Sequence, residues 1–215
     1  MFAACGSDDS KPESEATPGA TEEAAASPGA EGAACEKAEL PKPKPDGKLA
    51  KPKDSLDKAK TYVAKVLTNC GEFEIELDAK RAPKTGGSFK YLADEGFFDN
   101  TTFHRVISGF VIQGGDPLGN GTGGAGYSVV EAPPSDLSYT RGVVAMAKTG
   151  SEEPGTSGSQ FFVVVGEDVG LPPEYALLGK VTKGQDIVDK ISVLPVNAEN
   201  PVDPVVIRQV KVEAK

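Results

Sequence analysis

Tryptophan is absent from this chain of 215 residues, histidine occurs once, as His104, and no stretch of about 18 consecutive apolar residues exists. Each absence removes a class of function. Without a long apolar run no helix of this sequence is expected to span a bilayer. With one histidine, and no His, Cys or carboxylate ligands gathered at short spacing, a zinc centre has nothing to hold it. A Ser-His-Asp hydrolase would need a nucleophile elbow, and Gly155-Thr156-Ser157-Gly158-Ser159 fails that pattern at its last position. Lys and Arg number 23 against 32 Asp and Glu, a net charge of -9, so no basic surface for nucleic acid is expected. Residues 6–34 hold no aromatic and no large aliphatic side chain, and so bury too little apolar surface to offset the entropy of ordering.

What is present divides the chain. Residues 6–60 are expected to be a disordered tether rich in Ala, Glu, Pro and Lys, its second half extended by Pro41-Lys42-Pro43-Lys44-Pro45 and Lys51-Pro52-Lys53. The folded domain is expected over 61–215.

Within it, Tyr62 to Leu67 and Phe73 to Leu77 flank the turn Thr68-Asn69-Cys70-Gly71 and predict a hairpin. Phe89, Leu92, Ala93 and Phe97 recur at helical spacing behind Pro83, which predicts a first helix, and a second is expected from Gly184 to Ile191. Short apolar runs at Phe110 to Ile112, Val143 to Ala147, Phe161 to Val165, Ala176 to Val181 and Val205 to Val212 are separated by Gly, Pro, Asn and Asp. Many short strands without alternating crossover helices argue for an antiparallel sandwich or closed barrel. The glycine loop Gly119 to Gly124 matches a dinucleotide fingerprint but opens no helix that could receive a pyrophosphate, so no cofactor is expected.

Four segments carry more. Phe103-His104-Arg105-Val106-Ile107 leads through Phe110-Val111-Ile112-Gln113 to Gly114-Gly115-Asp116; then come the Asn120 to Gly124 loop, the strand Gly142 to Ala147, and Gly158-Ser159-Gln160-Phe161-Phe162. In this order they resemble the cyclophilin family of peptidyl-prolyl cis/trans isomerases, from about Tyr62 to about Val212. The resemblance implies a mainly β fold, a closed eight-stranded antiparallel barrel capped by two helices, with its groove on the outside. It implies Arg105 as the catalytic residue. Phe110, Val111, Phe162 and Leu171 would make the apolar floor and walls, and Gln113 would position a substrate amide. The backbone of Ala147 and Lys148 would pair with the peptide, Tyr175 would stand at the far wall, and His104 is counted with the substrate-binding residues. Phe110 and Phe162 alone would read as plain core aromatics; the ordered set of segments places them in the groove.

That chemistry needs no nucleophile, base or metal. The X-Pro bond resists rotation because nitrogen shares its lone pair with the carbonyl, and a donor held against that nitrogen competes for the pair. Arginine suits the task because its guanidinium stays charged in an apolar groove and presents N–H groups in a rigid fork. Two rivals are carried: a module on the same fold that binds proline-containing peptides without turnover, and a structural surface lipoprotein.

Departures and termini add further expectations. Gly170 stands where many family members have a tryptophan, which implies weak cyclosporin binding. Lys148 and Thr149, with Ser151-Glu152-Glu153-Pro154, replace the usual groove flank. Phe2-Ala3-Ala4-Cys5-Gly6-Ser7 is similar to the end of a bacterial lipoprotein signal, read here as a remnant over 1–5 with Cys5 as lipid acceptor; the other reading is a chance Ala-Ala-Cys. The first reading implies an extracytoplasmic monomer, in contact with the membrane through its lipid alone. In that compartment Cys35 and Cys70 could pair; the other reading is two unrelated thiols.

Overall fold

The computed structural model describes residues 34–45, 47 and 49–215. Twelve strands and two helices follow in chain order: β1 (Tyr62–Thr68), β2 (Gly71–Leu77), α1 (Pro83–Asp94), β3 (Thr101–Ile107), β4 (Val111–Asp116), β5 (Val129–Val130), β6 (Val143–Met146), β7 (Thr156–Ser157), β8 (Phe161–Val164), β9 (Leu177–Lys183), α2 (Gln185–Ser192), β10 (Val196–Asn197), β11 (Asn200–Pro201) and β12 (Val206–Ala214). Eight strands close a barrel in the order β1, β12, β3, β4, β8, β6, β9, β2, every neighbouring pair antiparallel. Closure leaves the barrel itself without an open sheet edge. Two small ribbons, β5 with β7 and β10 with β11, lie outside it.

The uninterrupted apolar runs are explained by burial on both faces. Side chains alternate along a strand, and β8 sends Phe161 and Val163 into the barrel while Phe162 and Val164 join a second apolar cluster on its outer wall. β6 does the same, with Val144 and Met146 inside and Val143 and Ala145 outside. Inside, Phe161 packs edge-on against Phe89, Phe98 and Phe103 with ring centroids 5.5, 5.8 and 5.9 Å apart, geometries that aromatic quadrupoles favour. The lumen is thus a packed core, and binding is left to the outer wall.

Helix α1 starts with Pro83 at its first turn and has no side-chain cap of its own. The carboxylate of Glu131 substitutes, accepting from the N–H groups of Lys84 at 3.2 Å and Thr85 at 2.8 Å. Past the other end, Lys44 Nζ donates to the carbonyls of Gly96 and Phe97.

Lys44 belongs to the expected tether, and here the structure corrects the sequence reading. From residue 34 the chain is irregular but lies on the barrel as a strap, in one compact unit with it. The N–H groups of Glu36, Lys44, Gly47, Leu49 and Leu56 donate to the carbonyls of Asn69, Pro117, Gly124, Ala125 and Pro83. Leu56 is buried, and Cys35 is bonded to Cys70 in the turn between β1 and β2. The composition of the strap misleads because its hold comes from backbone bonds and a few side chains. The remaining part of the expected tether and Cys5 lie outside the described residues.

Candidate active site

The register of the barrel builds the site. Arg105 on β3 is opposite Gln113 on β4, Gln113 opposite Phe162 on β8, and Phe162 opposite Ala145 on β6. This row runs across the outer wall from a guanidinium, through an amide, to an aromatic face. Around it a groove of about 120 Å³ is lined by Phe110, Val111, Ala147, Lys148, Leu171 and Tyr175 together with Arg105, Gln113 and Phe162. The structure therefore brings together nine of the ten residues that the sequence assigned to catalysis and substrate.

His104 is the exception. It is 7% exposed, lies outside the groove lining, and rests against the loop at Gly121. Neither of its ring nitrogens makes a well-formed hydrogen bond, though the Thr102 backbone lies near enough to act on the imidazole. Burial pushes its pKa below the ordinary histidine value, outweighing the opposite pull of Asp116 and the Thr102 backbone, while Arg105 adds to the lowering. The imidazole thus packs under a loop, beside the groove lining and outside it. At Ala147, which lines the groove, the N–H donates to the carbonyl of Gln160 at 2.9 Å.

Arg105 is half-buried and fixed from two sides: Nε donates to Glu199 Oε2 at 2.5 Å, and one terminal nitrogen donates to Gln113 Oε1 at 3.3 Å. A relay continues from Gln113, whose Nε2 donates to Gln160 Oε1 at 2.9 Å, while Gln160 Nε2 donates to the carbonyls of Gly121 and Gly123 at 3.0 Å. The relay sets which way the Gln113 amide faces: its oxygen takes the arginine and its nitrogen takes Gln160.

The far wall is an aromatic triangle of Tyr139, Phe162 and Tyr175, with centroids 5.5 to 6.2 Å apart. Tyr139 is fully buried; its hydroxyl donates to the carbonyl of Tyr175 at 2.6 Å and accepts from the N–H of Tyr175 at 3.0 Å. Burial is the main cause that pushes the Tyr139 pKa up to about 12, so it stays a neutral donor across the physiological range. Lys148 lies with its ammonium 5.6 Å from the Tyr175 ring centre, pairs with Glu174 at 3.5 Å and donates to the carbonyls of Thr149 and Glu152. With its side chain 5% exposed and its charge met on all these sides, it braces the groove flank.

Sequence reasoning missed Tyr139, Gln160 and Glu199 as site residues. Gln160 lies inside the segment Gly158-Ser159-Gln160-Phe161-Phe162, a usable signal; Tyr139 and Glu199 stand alone in segments that no pattern tied to the groove.

Residues 63–212 match the cyclophilin type peptidyl-prolyl cis-trans isomerase family. The chain is 40% identical to the peptidyl-prolyl cis-trans isomerase B of Streptomyces anulatus, over 73% of its own length and 99% of that protein. It is 42% identical to a Helicobacter pylori peptidyl-prolyl cis-trans isomerase, over 62% of its length and 82% of the relative. A crystal structure of a Cryptosporidium parvum cyclophilin type peptidyl-prolyl cis-trans isomerase superposes with a TM-score of 0.67 at 32% identity, covering 72% of this chain and 99% of that one. The same parasite protein has been solved in the presence of the dipeptide Ala-Pro, with a TM-score of 0.66. The chain belongs to the cyclophilin-type peptidyl-prolyl cis-trans isomerases.

Proposed function

We propose that Arg105 catalyses rotation about X-Pro bonds of client polypeptides by donating to the prolyl nitrogen, and that the chain does so outside the cytoplasm, held at a membrane through Cys5. The observation that carries the catalytic part is the row Arg105, Gln113, Phe162: a donor fork at one end and an apolar cup for the proline ring at the other, with an oriented amide between them. As the donor draws off the lone pair, the bond loses double-bond character and turns. Uncatalysed isomerisation takes roughly tens of seconds. A turnover on the order of 10² to 10³ per second asks for about 5 to 6 kcal/mol of transition-state stabilisation, within reach of one well-aimed donor and a shaped pocket. That the parasite relative was solved in the presence of the dipeptide Ala-Pro supports the X-Pro unit as the substrate class here too.

Two features support the address. The Cys35–Cys70 disulfide suits an oxidising compartment. Phe2-Ala3-Ala4-Cys5 supplies an acceptor cysteine behind small residues.

The deciding experiment measures isomerisation of a short X-Pro peptide by the whole chain, wild type beside Arg105→Ala. Acceleration by the wild type that is lost in the variant supports the reading. Binding without acceleration makes this a recognition module, and neither binding nor acceleration makes it a structural head. For the address, the protein from membranes should partition into detergent and its Cys5→Ser variant should not; equal partitioning would refute the anchor.

A further inference from the structure

We infer that Glu199 is the positioning residue that aims the Arg105 guanidinium into the groove; this rests on the reading of Arg105 as the catalytic donor. An arginine offers five N–H groups in one plane, and which of them face the substrate depends on what holds the others. Here the Nε edge is taken by Glu199 Oε2 at 2.5 Å and one terminal N–H by Gln113 Oε1 at 3.3 Å. Two anchors on different edges fix the rotation of the plane. What they leave over is the far side of the fork, the part a prolyl amide in the groove would meet.

Glu199 is itself held in place. It sits in the turn of the ribbon β10–β11, and its carbonyl accepts from the N–H of Val106, the residue after Arg105, at 2.7 Å. The same turn puts Ala198 at φ 57°, a left-handed conformation that costs a non-glycine residue about 1 kcal/mol or more and persists where surroundings over-determine it. The ribbon adds little to the core, since β10 is exposed and β11 no better than half-buried. Its backbone and its carboxylate both converge on Arg105 and its neighbour, which is what the ribbon contributes.

The competing account is an ordinary surface ion pair, 49% exposed on its acidic side, of the kind that contributes little to stability. The two accounts differ in sign. A carboxylate that merely neutralises the guanidinium weakens its pull on the prolyl nitrogen, so its removal would raise turnover. A carboxylate that aims the fork is needed for turnover, and its removal lowers kcat while leaving substrate binding in the apolar cup intact.

The test compares the whole chain as wild type, Glu199→Ala, Glu199→Gln and Arg105→Ala on one X-Pro peptide. The Ala variant at 199 is expected to lose about tenfold in kcat with KM within twofold and an unchanged melting temperature. The Gln variant, whose amide oxygen still accepts from Nε, should recover most of that loss. In NMR spectra the Arg105 Nε–H signal, assigned by its absence from Arg105→Ala, should exchange slowly in the wild type and Gln proteins and be lost to exchange in Glu199→Ala. A kcat that is unchanged or raised in Glu199→Ala, or a loss carried by KM alone, overturns the inference. Should Arg105→Ala itself retain full turnover, it is the catalytic assignment that fails, and the two failures are read in separate lanes of the same assay.

Discussion

The carbonyl of Asp54 crosses helix α1 so closely at Gly87 that a β-carbon added there would lie 2.6 Å from its oxygen and 2.9 Å from the Cα of Ser55. Gly86, one residue earlier, makes the same allowance for Leu56, whose Cδ1 would be 2.5 Å from an added β-carbon. Two consecutive glycines inside a helix are unfavourable by about 1 kcal/mol each relative to alanine. Their purpose is to let the strap through.

Gly87→Ala therefore reverses the usual sign. In an exposed helix it would stabilise by about 1 kcal/mol, whereas here it meets backbone, which cannot swing aside, and should destabilise by roughly 1 to 3 kcal/mol. Thermal unfolding reads the difference, and a raised midpoint would mean that the strap does not press on α1. Leu56→Ala, at a side chain 6% exposed, should cost about 2 to 4 kcal/mol by the same measurement.

Reduction of Cys35–Cys70 should lower stability and spare catalysis. The bridge spans 35 positions in sequence, worth about 4 kcal/mol in the chain-entropy account, or roughly 8 to 16 °C in melting temperature for a domain of this size. Turnover on a short peptide should stay within twofold, since no groove residue touches either cysteine in the contacts described. Two free thiols after alkylation of the oxidised native protein would contradict the bond.

Arg105→Lys should be nearly as damaging as Arg105→Ala, each by roughly 100-fold in kcat/KM. Lysine keeps the charge but not the planar fork, and cannot hold Glu199 and Gln113 while still facing the substrate. Full activity of the lysine variant would mean that charge alone suffices.

His104 gives stability a slope in acid. The unfolded chain takes up a proton on this residue as pH falls below about 6.5, while burial delays protonation of the folded form to lower pH. Its contribution is thus fully present above the unfolded pKa and is lost as pH falls from there through the lower folded pKa. Against His104→Phe, which cannot titrate, the wild type should lose melting temperature progressively from pH 7 to pH 5. A constant gap between the two would show that the imidazole titrates alike in both states.

Cyclosporin should inhibit weakly. Gly170 is exposed, has φ 62° and has nothing within 4 Å of where a side chain would begin, so an indole's donor and apolar face are both missing from that rim. Nanomolar inhibition would mean that another part of the rim supplies them.

The barrel was legible from sequence where strands are buried on both faces, because Phe161 to Val164 or Val143 to Met146 have no other stable place than a double-sided wall. The groove was legible because its residues sit in four quotable segments, which the register brings side by side. What escaped is what depends on partners far apart in the chain. Nothing near Tyr139 announces that its hydroxyl bridges to Tyr175, 36 residues on, and nothing near Glu199 announces Arg105, 94 residues back. His104 falls outside the groove because β3 is irregular between Phe103 and Arg105 in its pairing with β4, and the imidazole packs under the Gly121 loop. The strap was misread because proline and lysine signal solvation, whereas its attachment lies in main-chain donors that composition does not display.

The disulfide also settles how tension enters the molecule. Any pull on the polypeptide upstream of residue 35 passes through the sulfur bridge straight into the turn between β1 and β2, where Asn69 is pinned by the backbone of Glu36, Pro204 and Val206. The bridge closes the segment from 36 to 69 into a covalent ring, which a pull from upstream can bypass. A force that would otherwise peel the strap off α1 and unzip β1 from its end is delivered instead to a closed barrel across its hydrogen bonds, with catalysis shielded from whatever tugs on the N-terminus.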